Sequence, residues 1–123
     1  MDALNKLDNY TRESMLFDLY GGLLTDRKRA ILEMHHENDM SLSEIADELN
    51  ISRAAVYDSL KSAEKSLEDY ESRLSLLADY MARMENTERA LESLEALKKI
   101  CGGDKRAQSE IDNLSGILRS MEG

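Results

Sequence analysis

The sequence predicts an all-α protein, and three observations lead to this fold class. First, the 123 residues include no proline and 19 leucines, and this composition suits helices. Second, there are only one valine, six isoleucines and three threonines, so the β-branched residues that favour strands are scarce. Third, apolar residues recur at steps of three and four through most of the chain, which is the period of an α-helix.

The helices of the N-terminal half carry recognisable boundary residues. A first helix is predicted within the segment Leu4 to Leu24. Thr25 follows it and is placed to cap the N-terminus of a second helix. Ser41 and Glu44 form an S-x-x-E capping box, which predicts a short third helix that ends at Asn50.

A long fourth helix is predicted to start at the cap residue Ser52 and to run to about Glu85. Its small and apolar residues follow alternating steps of four and three, which is the spacing of a coiled-coil seam. Such a helix would be about 50 Å long at about 1.5 Å per residue, so another element must cover its apolar face. The residues of this seam are Val56, Leu60, Ala63, Leu67, Tyr70, Leu74, Leu77, Met81 and Met84.

The C-terminal segment is predicted to be a helical hairpin. The apolar pattern loses its register at Asn86-Thr87, where we expect a break, and then resumes in a fifth helix. Gly102-Gly103 is expected to end that helix, and Asp104 to cap a sixth. The chain therefore divides into a helix-turn-helix domain, residues 1–66, and an extension that contains the rest of the long helix and the hairpin, residues 67–123.

The seam has two interpretations, which are compatible with each other. In the first, the seam is the surface on which the hairpin folds back within one chain. In the second, it is the contact between two chains of a homodimer. The residues predicted to form a dimer interface are Leu67, Tyr70, Leu74, Leu77, Met81 and Met84.

The third helix, the turn at Asn50-Ile51 and the start of the fourth helix have the arrangement of a helix-turn-helix motif. In such a motif the second helix enters the major groove of DNA with its N-terminal turns. We predict contacts to DNA or RNA from the outward face of this helix, from its leading end and from the basic start of the second helix. The predicted nucleic-acid-binding residues are Arg27, Lys28, Ser52, Arg53, Ala54, Tyr57, Asp58 and Lys61.

The charge of the chain opposes a general affinity for nucleic acid. The formal net charge is −9, and the segment from Leu24 to Leu67 carries six basic and nine acidic side chains. A nucleic-acid-binding module usually presents a basic face to the phosphates. Two hypotheses therefore stand: a regulator that binds DNA, or an acidic helical adaptor that binds a basic protein or an RNA–protein complex.

Other classes of function are not predicted. Cys101 has no identifiable catalytic partner, and there is no glycine-rich phosphate loop, so we expect no enzyme and no cofactor. His35 and His36 are neighbours that point about 100° apart on a helix, so we predict no metal site and expect His35 at the edge of the core. No apolar run is long enough to span a membrane and the N-terminus lacks a secretion signal, so we expect a cytoplasmic protein.

Several of these segments resemble known families. The run Leu23-Leu24-Thr25-Asp26-Arg27-Lys28-Arg29, the run Ser41-Leu42-Ser43-Glu44-Ile45-Ala46 and the run Ile51 to Asp58 resemble region 4 of sigma factors. The runs Tyr20 to Thr25, Ser52 to Asp58 and Glu64 to Glu71 resemble the YlxM family of small bacterial proteins, usually encoded beside the signal recognition particle GTPase gene. This resemblance covers roughly the first two thirds of the chain. It implies an all-helical fold like sigma region 4 and a regulatory or accessory role in the signal recognition particle pathway.

Overall fold

The computed structural model of the chain describes residues 8–122, which form two compact units, one through Ala78 and one from Asp79 onward. The described part contains six α-helices, a single 3₁₀ turn and no strand, so the prediction of an all-α fold is confirmed. Residues 4–7 of the predicted first helix lie outside the described residues. The elements are α1 (Asn9–Tyr20), the 3₁₀ turn (Gly21–Leu23), α2 (Asp26–His36), α3 (Leu42–Leu49), α4 (Arg53–Leu74), α5 (Leu76–Cys101) and α6 (Lys105–Glu122).

The predicted caps of α2, α3 and α4 are confirmed. The side chains of Thr25, Ser41 and Ser52 each accept a hydrogen bond from the backbone N–H three residues later. In the capping box, Glu44 Oε1 also accepts from the backbone N–H of Ser41 at 3.0 Å. These bonds satisfy helix N–H groups that have no partner within their own helix, so the short local sequence fixes where each helix begins.

The core of the first unit lies where α1, α2 and α3 pack against the N-terminal two thirds of α4. Full burial of one leucine, isoleucine or valine side chain in a core of this kind stabilises the fold by roughly 1.5–3 kcal/mol. The first four seam positions of α4 are used for this packing within the chain. The buried core residues of these helices are Leu16, Tyr20, Ile31, Leu32, Ile45, Ala46, Val56, Leu60, Ala63 and Leu67.

The predicted continuous helix from Ser52 to Glu85 is wrong, because α4 ends at Leu74 and α5 begins at Leu76. Between them, Ser75 adopts a left-handed backbone conformation with φ 56°. A single left-handed residue ends the run of helical hydrogen bonds, so the chain starts a new helix after it.

The start of α5 is stabilised by the side chain of Glu71, which lies one turn before the break. Glu71 Oε1 accepts from the backbone N–H of Leu77 at 3.0 Å, and Oε2 accepts from that of Ala78 at 3.1 Å. Glu71 is 7% exposed. A buried carboxylate therefore does for α5 what a serine or threonine cap does for the helices before it.

The predicted break at Asn86-Thr87 is also wrong, because α5 runs through both residues to Cys101. Thr87 is buried, and its hydroxyl donates to the backbone oxygen of Arg83 at 2.8 Å. A threonine in the middle of a helix can satisfy its hydroxyl in this way, one turn back along the same helix. The change of apolar register at Asn86-Thr87 therefore does not mark a helix end.

The predicted C-terminal hairpin is confirmed within the second unit. Gly102, at φ 57°, follows α5, and Asp104 Oδ1 accepts from the backbone N–H groups of Arg106 and Ala107 at 3.0 and 3.2 Å. The glycine permits the left-handed turn that closes α5, and the aspartate caps α6. Several large apolar side chains of the hairpin remain exposed, namely Leu97, Ile100, Leu114, Ile117 and Met121. Over residues 8–122, no helix is both long enough and apolar enough to cross a membrane.

Candidate nucleic-acid interface

The helix-turn-helix is formed by α3, the three connecting residues Asn50, Ile51 and Ser52, and α4. Asn50 is left-handed, with φ 55° and ψ 48°, and the backbone N–H of Ile51 donates to the carbonyl of Ala46 at 3.1 Å. Asn50 tolerates this conformation better than most residues with a side chain. The turn therefore closes α3 in the short distance that the motif requires before Ser52 caps α4.

The face of α4 predicted to point outward does so. Ala54, Tyr57, Asp58 and Lys61, which we call the α4 face, are all exposed. Tyr57 is 49% exposed, and Lys61 Nζ lies 5.6 Å from the centre of its ring. The side chains of Ser52 and Arg53 are exposed at the leading end of the same helix. The geometry thus leaves these residues accessible to a large partner, while their binding role stays a prediction.

Four cations of residues 24–67 form no ion pair within the described part of the chain: Arg27, Lys28, Arg53 and Lys65. Arg27 and Arg53 are exposed, and Lys28 is half-buried. Arg27 also lines an open cavity with Leu49 and Ile51, so the start of α2 lies beside the residues that lead into α4. Basic side chains without acidic partners are the ones that can contact phosphates at the lowest cost.

Two other cations of this region are already paired. Arg29 lies 3.1 Å from the carboxylate of Asp26, and Lys61 Nζ lies 3.4 Å from Glu64 Oε1. The nearby Glu64 charge raises the pKa of Lys61 above its ordinary value. Lys61 is therefore charged, but part of that charge is offset by its own helix.

The outer side of α3 is acidic. Glu44, Asp47 and Glu48 are exposed, and Asp58 adds a carboxylate to the α4 face. Hydrogen bonds from Ser41 hold the pKa of Glu44 below its ordinary value, so this carboxylate is charged at neutral pH. In helix-turn-helix proteins the first helix of the motif crosses the DNA backbone, where such charges repel phosphate.

The structure divides the predicted dimer-interface residues into three groups. Leu67 and Leu77 are buried within the single chain, and Leu74 is 51% exposed. Tyr70 is half-buried, and its hydroxyl donates to the carbonyl of Leu23 at 3.3 Å. The remaining two, Met81 and Met84, are half-buried in the second unit.

One polar cluster of the first unit is not predicted by the sequence. His36 is buried at the end of α2, whereas His35 is half-buried, with its Nδ1 3.1 Å from the carbonyl of Met40. His36 faces Glu13 of α1 and Glu64 of α4. His35 and His36 stand four residues after the buried Ile31 and Leu32, respectively, so helical spacing alone cannot choose between them. The two glutamates are too distant in sequence to form a recognisable motif.

Comparison with known proteins places the chain in a family. Residues 7–106 match the family described as "Putative helix-turn-helix protein, YlxM / p13 like". A UPF0122 protein of Halalkalibacterium halodurans is 41% identical over 116 residues, which cover 94% of this chain and 96% of that protein. Another, from Streptococcus mutans, is 38% identical over 112 residues, which cover 91% and 96%. A third, from Caldanaerobacter subterraneus, is 46% identical over 87 residues, which cover 71% and 74%. The chain therefore belongs to the YlxM / p13-like family of helix-turn-helix proteins, and the resemblance seen in its sequence is confirmed.

Proposed function

We propose that this protein is a non-enzymatic regulator that binds nucleic acid, and that its preferred ligand is double-stranded DNA. The observation that carries this proposal is the capped N-terminal end of α4, where Arg53 is exposed beside an accessible α4 face and forms no ion pair within residues 8–122. Unpaired cations supply the phosphate contacts that position a helix, and the exposed side chains after them supply contacts to base edges.

The net charge of −9 indicates how such binding would work. Non-specific affinity for DNA comes almost entirely from cations that displace counterions from the phosphates. In the described part of the chain, residues 24–67 carry four cations without an ion pair, against nine acidic side chains, so the protein gains little from this source. We therefore expect weak non-specific binding, so that recognition depends on a particular sequence or on a second protein.

The experiment starts with selection of bound duplexes from a random-sequence DNA pool at low salt. The affinity of the enriched duplex is then measured by fluorescence anisotropy at several salt concentrations. Arg53→Ala should weaken binding at least about tenfold and reduce the slope of log affinity against log salt by about 1. Arg73→Ala removes the same charge at the exposed C-terminal end of α4 and serves as the matched control. Failure to enrich any duplex, or equal losses in the two variants, would contradict DNA binding through α4.

The second candidate function is an acidic adaptor that binds a basic protein or an RNA–protein complex. The exposed carboxylates of α3 favour it, because Glu44, Asp47 and Glu48 suit a cationic partner better than phosphate. The test is a pull-down from cell extract with and without nuclease. The double variant Asp47→Lys, Glu48→Lys should abolish the recovery of a partner that resists nuclease, while Arg53→Ala should leave that recovery unchanged. The opposite result would support nucleic-acid binding.

We further propose that the protein acts in the cytoplasm and in the signal recognition particle pathway, and the support for this is the family resemblance described above. A homodimer is also proposed. Its support is the seam spacing and the exposure of Leu74, which is 51% exposed within one chain.

A further inference from the structure

A buried imidazole in the first unit faces two carboxylates from different helices. His36 is the last residue of α2, Glu13 belongs to α1 and Glu64 to α4. His36 Nε2 lies 3.1 Å from Glu13 Oε2 and 3.7 Å from Glu64 Oε2. One ligand atom from each of the three side chains lies within 4.8 Å of the other two.

The nitrogen at the centre of this cluster is not satisfied by hydrogen bonding. His36 is 8% exposed, and its Nε2 is buried without a hydrogen-bond partner in the described part of the chain. The approach of the Glu13 carboxylate is close, but its direction does not make a hydrogen bond. Buried polar atoms are nearly always partnered in folded proteins, so an exception aimed at two carboxylates needs an explanation.

We propose that Glu13, His36 and Glu64 bind one divalent transition-metal cation, with Zn²⁺ as the best match to the three donors. Imidazole and carboxylate together suit Zn²⁺ better than Mg²⁺ or Ca²⁺, which take oxygen ligands. With metal–ligand bonds of about 2.0–2.1 Å, neighbouring ligand atoms of a tetrahedral site are about 3.3 Å apart. The two distances from Nε2, 3.1 and 3.7 Å, bracket this separation.

The charges around the cluster favour a cation. Burial, and then the charge of Glu64, raise the pKa of Glu13 above its ordinary value, because two carboxylates share a partly dry site. Lys61 offsets some of this charge, but it contacts Glu64 Oε1, whereas Oε2 faces His36. Lys61 and a metal cation can therefore contact different oxygens of the Glu64 carboxylate at the same time.

The site is also held in place and accessible. Tyr10 donates from its hydroxyl to the backbone oxygen of His36 at 2.9 Å, and its ring lies 6.0 Å from the imidazole. The side chains of Glu13 and Glu64 are 33% and 21% exposed, so a cation and one water molecule have a route to the site. The three ligands would join α1, α2 and α4, so bound metal should stabilise the unit and fix the orientation of the helix that carries the α4 face.

The test is calorimetric titration of the full chain with Zn²⁺ after exhaustive treatment with a chelator, together with thermal unfolding by circular dichroism. We expect one Zn²⁺ per chain and a melting temperature that rises with the concentration of free Zn²⁺. Glu13→Gln and Glu64→Gln keep the side-chain shape but remove the charged ligand, and each should weaken Zn²⁺ binding at least about tenfold. A helical circular-dichroism signal equal to that of the parent protein in the chelated state will establish that these variants are folded.

Controls separate this site from other ligands. Glu33→Gln changes an exposed glutamate of α2, and Cys101→Ser removes the single thiol, so neither should alter the affinity. With Co²⁺ as a spectroscopic probe, the visible spectrum should lack the charge-transfer bands of a thiolate ligand. The proposal is overturned if Zn²⁺ gives neither stoichiometric heat nor a thermal shift. It is also overturned if the affinity survives both ligand variants or depends on Cys101. None of these measurements requires nucleic acid, so they are independent of the proposed function.

Discussion

The hydroxyl of Tyr20 donates a hydrogen bond of 2.6 Å to Oε1 of Glu71, although the two residues are 51 positions apart in the sequence. The same hydroxyl oxygen accepts from the backbone N–H of Leu76 at 3.1 Å. Tyr20 is 1% exposed at the end of α1, and Glu71 caps the start of α5. This pair therefore connects the first helix of the fold to the point where the chain leaves α4.

Replacement of Tyr20 by phenylalanine should lower the stability of the protein. The ring remains in the core, but the Glu71 carboxylate and the N–H of Leu76 each lose a buried partner, which costs about 1–3 kcal/mol of unfolding free energy. Urea denaturation followed by circular dichroism measures this difference. Tyr57→Phe, at a 49% exposed position, should change the free energy by less than about 0.5 kcal/mol. Equal stability of Tyr20→Phe and the parent protein would show that the bond to Glu71 contributes nothing.

The stability of the fold should depend on pH through Glu71. Burial raises the pKa of this carboxyl, but the hydrogen bonds from Tyr20, Leu77 and Ala78 outweigh that effect and hold the pKa below its ordinary value of 4.5. The unfolded chain therefore binds the proton more readily than the folded chain. The stabilisation by Glu71 is complete above pH 4.5 and is lost as the pH falls through the lower pKa of the folded state.

Glu71→Gln removes this contribution, so its unfolding free energy should fall less steeply than that of the parent protein as the pH is lowered below 4.5. Glu13→Gln, measured in the presence of a chelator, is the contrasting variant. The pKa of Glu13 is raised, so the parent protein loses stability as the pH rises through that pKa and the variant does not. Parallel pH profiles for the three proteins would contradict both assignments.

The parts of the fold that the sequence predicts are those fixed by neighbouring residues. The caps Thr25, Ser41 and Ser52 and the left-handed Asn50 each depend on bonds within a few positions, so they are visible as local patterns. The α4 face follows from the period of one helix and is likewise exposed where the pattern predicts. Which of its residues bind a partner depends on that partner and stays a prediction.

The errors have the opposite origin. The seam continues through Ser75 without interruption, yet the helix ends there. The N–H groups at the start of α5 donate to Glu71 at the end of α4 and to Tyr20 of the distant α1, and the apolar spacing carries no sign of these bonds. Apolar spacing reports which residues are buried and does not report the backbone conformation between them. The cluster around His36 is hidden for a similar reason, since its three side chains meet only when α1, α2 and α4 have packed.

The ion pair between Lys61 and Glu64 should limit binding to nucleic acid. Glu64→Gln frees the lysine and removes a carboxylate three residues along α4, so the affinity for an enriched duplex should rise by about two- to fivefold at low salt. Fluorescence anisotropy in the presence of a chelator measures this change without interference from metal. Lys61→Ala should weaken binding less than Arg53→Ala, because Lys61 is already paired with Glu64, whereas Arg53 forms no ion pair with any residue that the structure describes. An unchanged affinity in Glu64→Gln would mean that Lys61 does not contact the duplex.

The final prediction concerns assembly. Leu74 is the most exposed member of the predicted dimer interface, at 51%, whereas Leu67 and Leu77 are covered within their own chain at 1% and 0%. If the seam joins two chains, Leu74→Glu places a charge in an apolar contact and should convert the dimer to a monomer. Light scattering at micromolar protein gives the mass directly, and Leu19→Glu, at a position of α1 that is 42% exposed, is the matched control that should leave the mass unchanged. A mass near 14.0 kDa for the unmodified protein would refute the dimer.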